Sequence, residues 1–463
     1  MWKRMLNMSA ATVMIVSLIA GCSNIKTEPV PPDKTVTIRF YSCIGEIKPG
    51  FYPSLEDIGP EFYSKGIAES GNKPVLEIVE QFEKDNPNIK VELEVQYDSR
   101  YHEKLASDIV SDTLPNVFMH WGGPEMYKAV QSGKVIDLTE KMNKDTAFRR
   151  QFSEVTMASQ SVRYDDMDGL WGVPFSNVSG GFYYNKALFE KAGITAPPAT
   201  WNELLDCVEK LKAIDVIPWA LGAKEGLRVE HLYSAIFYRL NGVEGARKLG
   251  DRSLKYSSPE AVAAWEEIQK LVDMEAFGPE PSSVDFSYET TLMQTGKAAM
   301  TFGIFAYAEK YIGTECDVAN DIDFFEVPVF EGKEEFSKNN FGGGEIALGI
   351  ASNASEEQIE ASWQLCKALS GIEGQTNLAN SNGGLAANQY VEIDPERVNR
   401  LYRNFIDVIN NADAAMTDVT NYDKVSTMLT KIRDVASALV SGQLTPEQAG
   451  RELDAEVELY SDK

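Results

Sequence analysis

Histidine is scarce in this 463-residue chain: His102, His120 and His231 are the whole supply. None sits at a spacing that would let two of them share a metal ion. Reactive signatures are just as thin. The chain has no Gly-x-x-x-x-Gly-Lys-Ser/Thr phosphate loop and no Gly-x-Ser-x-Gly nucleophile turn. Gly342-Gly343-Gly344 lacks the spaced third glycine and the helix opening that a phosphate cradle needs. Acidic pairs such as Asp165-Asp166 and Glu334-Glu335 occur, but among 70 Asp and Glu they read as solvated faces. The facing carboxylates of a glycosidase are defined by a distance that spacing along the chain does not reveal. Basic residues are in deficit, 44 against 70 acidic ones, for a formal charge of −26. Such a surface repels nucleic acid and anionic membranes and says little about a neutral ligand. Beyond the first 20 residues no apolar run reaches the 18 that would mark a membrane span. No catalytic machinery, cofactor or metal is expected.

The N-terminus is the least ambiguous part of what is present. Lys3 and Arg4 precede a short apolar stretch from Met8 to Ala20, about 13 positions where a bilayer core needs roughly 20. Residues 1–21 therefore read as a signal peptide. Ile19-Ala20-Gly21-Cys22 resembles the bacterial lipobox, which implies lipidation of Cys22 as the mature N-terminus. Residues 22–34, with Lys, Thr, Glu, Asp and three prolines, suit an unstructured tether. Two acyl chains on that cysteine would hold the protein at the membrane. Losing Lys3 and Arg4 would take the net charge from −26 to −28. The remaining cysteines, Cys43, Cys207, Cys316 and Cys366, lack paired spacings. Cys207 and Cys366 sit on apolar helix faces and read as small buried hydrophobes. A disulfide between Cys43 and Cys316 stays open in an exported chain.

Hydrophobic residues make up 43% of the chain, with 21 Phe, 19 Tyr and 7 Trp, enough for two or three domains. Val36, Ile38 and Phe40 alternate with polar residues and predict a strand. Val75, Ile78, Val79 and Phe82 follow helical spacing. Ile89, Val91, Leu93, Val95 and Tyr97 alternate into a second strand, and a helix over Tyr101–Val110 leads to the apolar run Val117-Phe118-Met119. This order predicts right-handed βαβ units in a mostly parallel sheet. Further on, Thr200-x-x-Glu203, Ser355-x-x-Gln358 and Thr445-x-x-Gln448 are capping boxes. Ser258-Pro259 is an N-cap followed by proline at the first helical position. C-terminal stripes (Leu401, Phe405, Val408, Ile409; Met428, Leu429, Ile432, Val435) add helices. The fold class is α/β, helix-rich toward the end.

An ordered set of phrases then carries a family resemblance. Asp168-Gly-Leu-Trp-Gly-Val-Pro-Phe175, Gly181-Phe-Tyr-Tyr-Asn-Lys186, Phe189-Glu-Lys-Ala-Gly193 and Pro198-Ala-Thr-Trp201-Asn-Glu-Leu-Leu205 follow one another with the usual gaps. Leu114-Pro-Asn-Val-Phe-Met119, Gly296-Lys-Ala-Ala-Met-Thr-Phe-Gly303 and Gly342-Gly-Gly-Glu-Ile-Ala-Leu-Gly-Ile350 join them. The series resembles extracellular solute-binding protein family 1, the maltose-binding-like sugar receptors of ABC importers, over roughly residues 35–455. Several phrases also have local roles: Asn185 caps a helix, Gly193 closes it, and Thr200 caps the next.

The resemblance implies a two-lobed, periplasmic-binding-protein-like fold, its lobes joined by strands crossing near residues 177–180, 341–345 and 384–386. Lobe 1 would comprise 35–177 with 345–385, and lobe 2 would comprise 178–344 with 386–463. A mono- or oligosaccharide would be held in the cleft by hinge closure and delivered by a monomer to ABC transporter permease subunits. Membrane contact would be through the lipid anchor alone, with no nucleic-acid partner. Sugar recognition calls for aromatic faces and planar polar groups at the carboxyl ends of strands. The candidates are Tyr41 and Glu46 after the first strand, His120 and Trp121 after the third, Ser176 and Asn177 at a crossing, Arg228 and His231 at a helix start, Phe305, and Glu345. Phe305 stands where the family usually has tryptophan. Trp171 is expected to pack inside its hairpin. The insertion 44–72, with Phe51, Tyr52, Phe62 and Tyr63, either walls one end of the cleft or decorates the outer surface. Two other classes share these features: a surface glycan-degrading enzyme, and a receptor of the same fold for a non-sugar solute.

Overall fold

The apolar alternation of the first strand does settle it into a core. In the computed structural model, which describes residues 34–44, 73–96, 98–160, 169–381 and 384–460, Val36–Ser42 forms β1 with Val36, Ile38 and Phe40 buried. Cys22, Glu46 and nearly all of the 44–72 insertion lie outside the described residues. The other strands are β2 (Ile89–Val95), β3 (Val117–His120), β4 (Val173–Asn185), β5 (Ile217–Trp219), β6 (Ala298–Ile304), β7 (Ile322–Phe325), β8 (Asn339–Ile350), β9 (Leu385–Ala386) and β10 (Ala414–Met416). They run in the order β2-β1-β3-β8-β4-β6-β5, with β10 added to β8, and β7 and β9 added to β4.

The pairs β1–β2, β1–β3, β5–β6 and β8–β10 are parallel, as the strand–helix alternation predicts. The centre is different. β8 runs antiparallel to both β3 and β4, and β4 runs antiparallel to β6, β7 and β9. The sheet is therefore mixed rather than mostly parallel. β4 and β8 are the reason: at 13 and 12 residues, both buried almost throughout, they traverse the whole molecule. At about 3.3 Å per residue each spans roughly 40 Å.

Core membership changes along these two strands, and this defines the two lobes. Val173 and Phe175 of β4, with Ile346, Leu348 and Ile350 of β8, pack in a core with β1, β3 and the Lys73–Asp85 helix. Val178, Phe182 and Tyr184 of β4, with Phe341 of β8, pack in a second core with the helices Trp201–Lys212, Leu227–Gly250 and Met428–Val440. Tyr183, pointing the other way, joins a third cluster with Tyr311 and Phe405 on the opposite face of the same sheet.

Local signals place the helices. The capping boxes at Thr200/Glu203, Ser355/Gln358 and Thr445/Gln448 form reciprocally, and Ser258 caps the Pro259–Asp273 helix. Asn185 accepts from the Leu188 amide, and Gly193 ends that turn at φ +75°. Trp201, 1% exposed, donates its indole N–H to Glu267 at 2.7 Å. Burying a ring of this size contributes on the order of 3 kcal/mol. Cys207 and Cys366 are buried in helices as expected. Cys43 and Cys316 belong to different lobes: the Cys43 sulfur lies 3.5 Å from that of Met119, and the Cys316 sulfur lies 3.8 Å from the Gln294 carbonyl.

Candidate functional site

The two lobes meet over a cavity of about 760 Å³. Its first wall is the Asp98–Ser111 helix, through His102, Ala106 and Ile109, with Trp121 and Gly122 of the loop after β3. The crossing strands supply its floor through Val178 of β4, and Phe341 and Glu345 of β8. His231, Asp418, Asn421, Leu429 and Arg433 form the facing wall.

Trp121 is the aromatic platform of the first wall. Its ring is half-buried, tilts against His102 at 4.6 Å between centroids, and meets Tyr101 edge-on at 5.7 Å. Tyr41, fully buried, stacks on the far side of Tyr101 at 4.3 Å and 7°. It backs the platform and does not line the cavity. His120 is also inside the wall. Its Nδ1 accepts the Gly122 amide at 3.0 Å and its Nε2 donates to the Trp171 carbonyl at 3.1 Å. That pairing fixes the tautomer and shapes the loop that carries Trp121.

On the floor, Ser176 donates to Glu345 at 3.4 Å. Burial lifts the Glu345 carboxyl to about 7, with the Ser176 hydrogen bond opposing and Asp418 adding to the shift. Asn177 faces away. Its amide donates to the Ala386 carbonyl at 3.0 Å and its oxygen accepts from Thr156 at 3.1 Å, which ties β4, β9 and the Glu154–Gln160 helix together. It lines a separate cavity of about 180 Å³.

Arg228 and His231 share a helix turn but not a role. Arg228 is buried against Glu289, with Nη2–Oε1 at 2.8 Å, and its guanidinium lies 4.8 Å from the Tyr307 ring. Burial alone would lower its pKa, and the Glu289 carboxylate, together with Tyr307 and Tyr311, more than offsets that. This pair anchors the helix start behind the cavity. Phe305 is buried too, edge-on to Tyr402 and Phe405 at 5.5 and 5.6 Å, while its neighbour Ile304 reaches the cavity. His231 does line the cavity. Burial, then Arg228 and Arg433, hold its imidazole well below its usual pKa, so it is neutral.

Of the candidates, Trp121, His231 and Glu345 come together at the cavity, with Ser176 behind Glu345. Tyr41, His120, Arg228 and Phe305 support them from inside the walls, and Asn177 faces the separate cavity. Sequence reasoning missed Glu230, Asp418 and Arg433. His231 Nε2 lies 3.9 Å from both Glu230 Oε2 and Asp418 Oδ1, and Arg433 Nε lies 4.0 Å from Glu230 Oε2. Nearly 190 residues separate His231 from Asp418, so no periodicity or spacing could have joined them.

The sequence profile of the bacterial extracellular solute-binding protein family matches residues 68–376, two thirds of the chain. The chain belongs to this family. Its relatives include a binding protein of Brucella abortus (strain 2308), 32% identical over 231 residues, covering 48% of this chain and 52% of that one. The sn-glycerol-3-phosphate-binding periplasmic protein of Escherichia coli (strain K12) is 27% identical over 248 residues, covering 50% and 52%. The chain thus matches about half the length of these relatives. In three dimensions it resembles a chitin oligosaccharide binding protein at a TM-score of 0.73 and 21% identity, covering 92% of this chain and 98% of that one. That likeness shows the fold. Asp418 and Arg433 of this solute-binding protein lie beyond the family match. Among the described residues no helix is long and apolar enough to cross a membrane.

Proposed function

We propose that this solute-binding protein captures a neutral mono- or oligosaccharide between its two lobes, residues 35–177 with 345–385 and 178–344 with 386–463. It acts as a monomer, releases the sugar unaltered to the permease of an ABC importer, and is held at the membrane by lipid on Cys22. The observation that carries this reading is the composition of the interlobe cavity. One wall offers the Trp121 face to the apolar C–H side of a pyranose, and the opposite wall offers His231, Asp418, Asn421 and Arg433 to its hydroxyls. A cavity of about 760 Å³ has room for more than one sugar unit. Because the walls belong to different lobes, ligand contacts favour the closed state. The structural relative, a chitin oligosaccharide binding protein, agrees in ligand class. The glycerol-phosphate relative raises an anionic solute. Against it, the cavity sets Glu103, Glu345 and Asp418 beside Lys128 and Arg433, so an anion would meet more carboxyls than cations.

Calorimetric titration with a chain-length series of saccharides tests this. One equivalent of at least one sugar should bind and be recovered intact, and Trp121→Ala should weaken it at least about tenfold. Heatless titrations across the series, or hydrolysis of any member, would refute the proposal. Mass spectrometry of the membrane fraction, comparing wild type with Cys22→Ser, reads the anchor.

A further inference from the structure

We propose that Glu230, His231 and Asp418 form a binding site for one divalent first-row transition-metal ion, of the manganese or zinc class, in the wall of the interlobe cavity. The inference does not require the solute to be a saccharide. One ligand atom from each of the three residues comes within 4.8 Å of the other two. His231 Nε2 lies 3.9 Å from one oxygen of each carboxylate. Metal–ligand bonds of about 2.0–2.2 Å are reached from there by a small closure of the side chains.

The second observation is that the protein supplies these atoms with little beyond an ion pair from Arg433 to Glu230, 4.0 Å away. Glu230 is 0% exposed. Its Oε1 accepts from Ser234 at 2.9 Å, which leaves Oε2 aimed at the cluster. Neither Glu230 Oε2 nor Asp418 Oδ1 has a hydrogen-bond partner among the described residues, and the same is true of His231 Nδ1 and Arg433 Nε. Two buried carboxyls facing one another are costly when both are ionised, and either a proton shared between Glu230 and Asp418 or a bound cation relieves them.

Charge points the same way. Glu230, Asp418 and Glu345 set three carboxyls against Arg433, a deficit of two positive charges when all are ionised. Glu103 and Lys128, which line the same cavity, add one charge of each sign. Protons can fill the deficit, and the carboxyl pKa values are raised accordingly, Glu230 and Asp418 chiefly by burial. A divalent cation fills it in one step and satisfies both orphaned oxygens. A neutral imidazole with two carboxylates suits a borderline ion, whereas calcium prefers six to eight oxygens.

The full mature chain, without a histidine tag and stripped by chelator, would be titrated with Mn²⁺, Zn²⁺ and Ca²⁺ at about pH 7.5. Saturable uptake of one equivalent of Mn²⁺ or Zn²⁺ is expected, with Ca²⁺ at least about tenfold weaker. Glu230→Gln and Asp418→Asn, checked for native circular dichroism, should each weaken uptake at least about tenfold. Pulsed electron paramagnetic resonance of the Mn²⁺-loaded wild type needs no variant and should show nitrogen coupling from one imidazole. Absence of saturable uptake, affinity unchanged in both variants, or bound Mn²⁺ without nitrogen coupling would overturn the proposal.

Discussion

Glu345 lines the cavity, and its protonation answers to burial there. It faces Ser176, Asp418 and Tyr307, and its carboxyl is raised from 4.5 to about 7, chiefly by burial. The folded state then holds a proton that the unfolded state has released between about pH 4.5 and 7, so stability falls as pH rises through that window. Cleft water moderates the effect, leaving about 2–3 kcal/mol. Glu345→Gln should remove that part of the slope, so urea unfolding near pH 5 and pH 8 should show the variant gaining about 2–3 kcal/mol on wild type at the higher pH. Parallel slopes would rule the idea out. At this scale legibility followed locality. Trp121 and Glu345 were readable because each follows a strand or glycine run that aims it at the cleft. Arg228 looked like a contact for the same reason. Its partner Glu289, 61 residues on and buried with it, is what takes it out of the cavity.

Among the elements, the capped helices were legible at their first residue, because caps are local chemistry: Thr200, Ser258, Ser355 and Thr445 each announce a helix start, whereas the Asp98–Ser111 helix was read three residues late and the Leu227–Gly250 helix only at its start. The central strands were not. β4 and β8 are buried on both faces, so they show no alternation that would fix direction or partner, and strand–helix alternation biased the reading toward parallel pairing. Their crossing depends on Gly342, at φ +146°, where an added Cβ would lie 2.5 Å from the Val178 carbonyl oxygen on β4. Both the backbone conformation and the close approach require glycine. Gly342→Ala should therefore cost at least about 2 kcal/mol in chemical denaturation. It should also weaken solute binding, since Phe341 and Glu345 flank the distorted segment. A variant as stable as wild type would show that the crossing tolerates a side chain.

For the molecule as a whole, what matters is that one cavity has walls in two lobes and that β4 and β8 run through both. A solute touching one wall alone would stabilise its own lobe and leave the other where it was. A solute touching both must do two things together. It should raise the unfolding free energy, by about 2.7 kcal/mol at a hundredfold excess over Kd, and it should draw the lobes inward. A compact chain of this length has a radius of gyration of about 22 Å, and a hinged clamshell stands above its closed value until filled. Small-angle scattering on the same samples as the thermal melts should therefore show the radius shrinking in proportion to occupancy, with half-maximal change at the calorimetric Kd. Trp121→Ala should shift both curves equally along the concentration axis, because the proposal gives the ring to the solute and the residue lies outside β4 and β8. A sugar that raises the melting temperature while the scattering profile stays fixed would place the binding site within one lobe and remove the role given to closure.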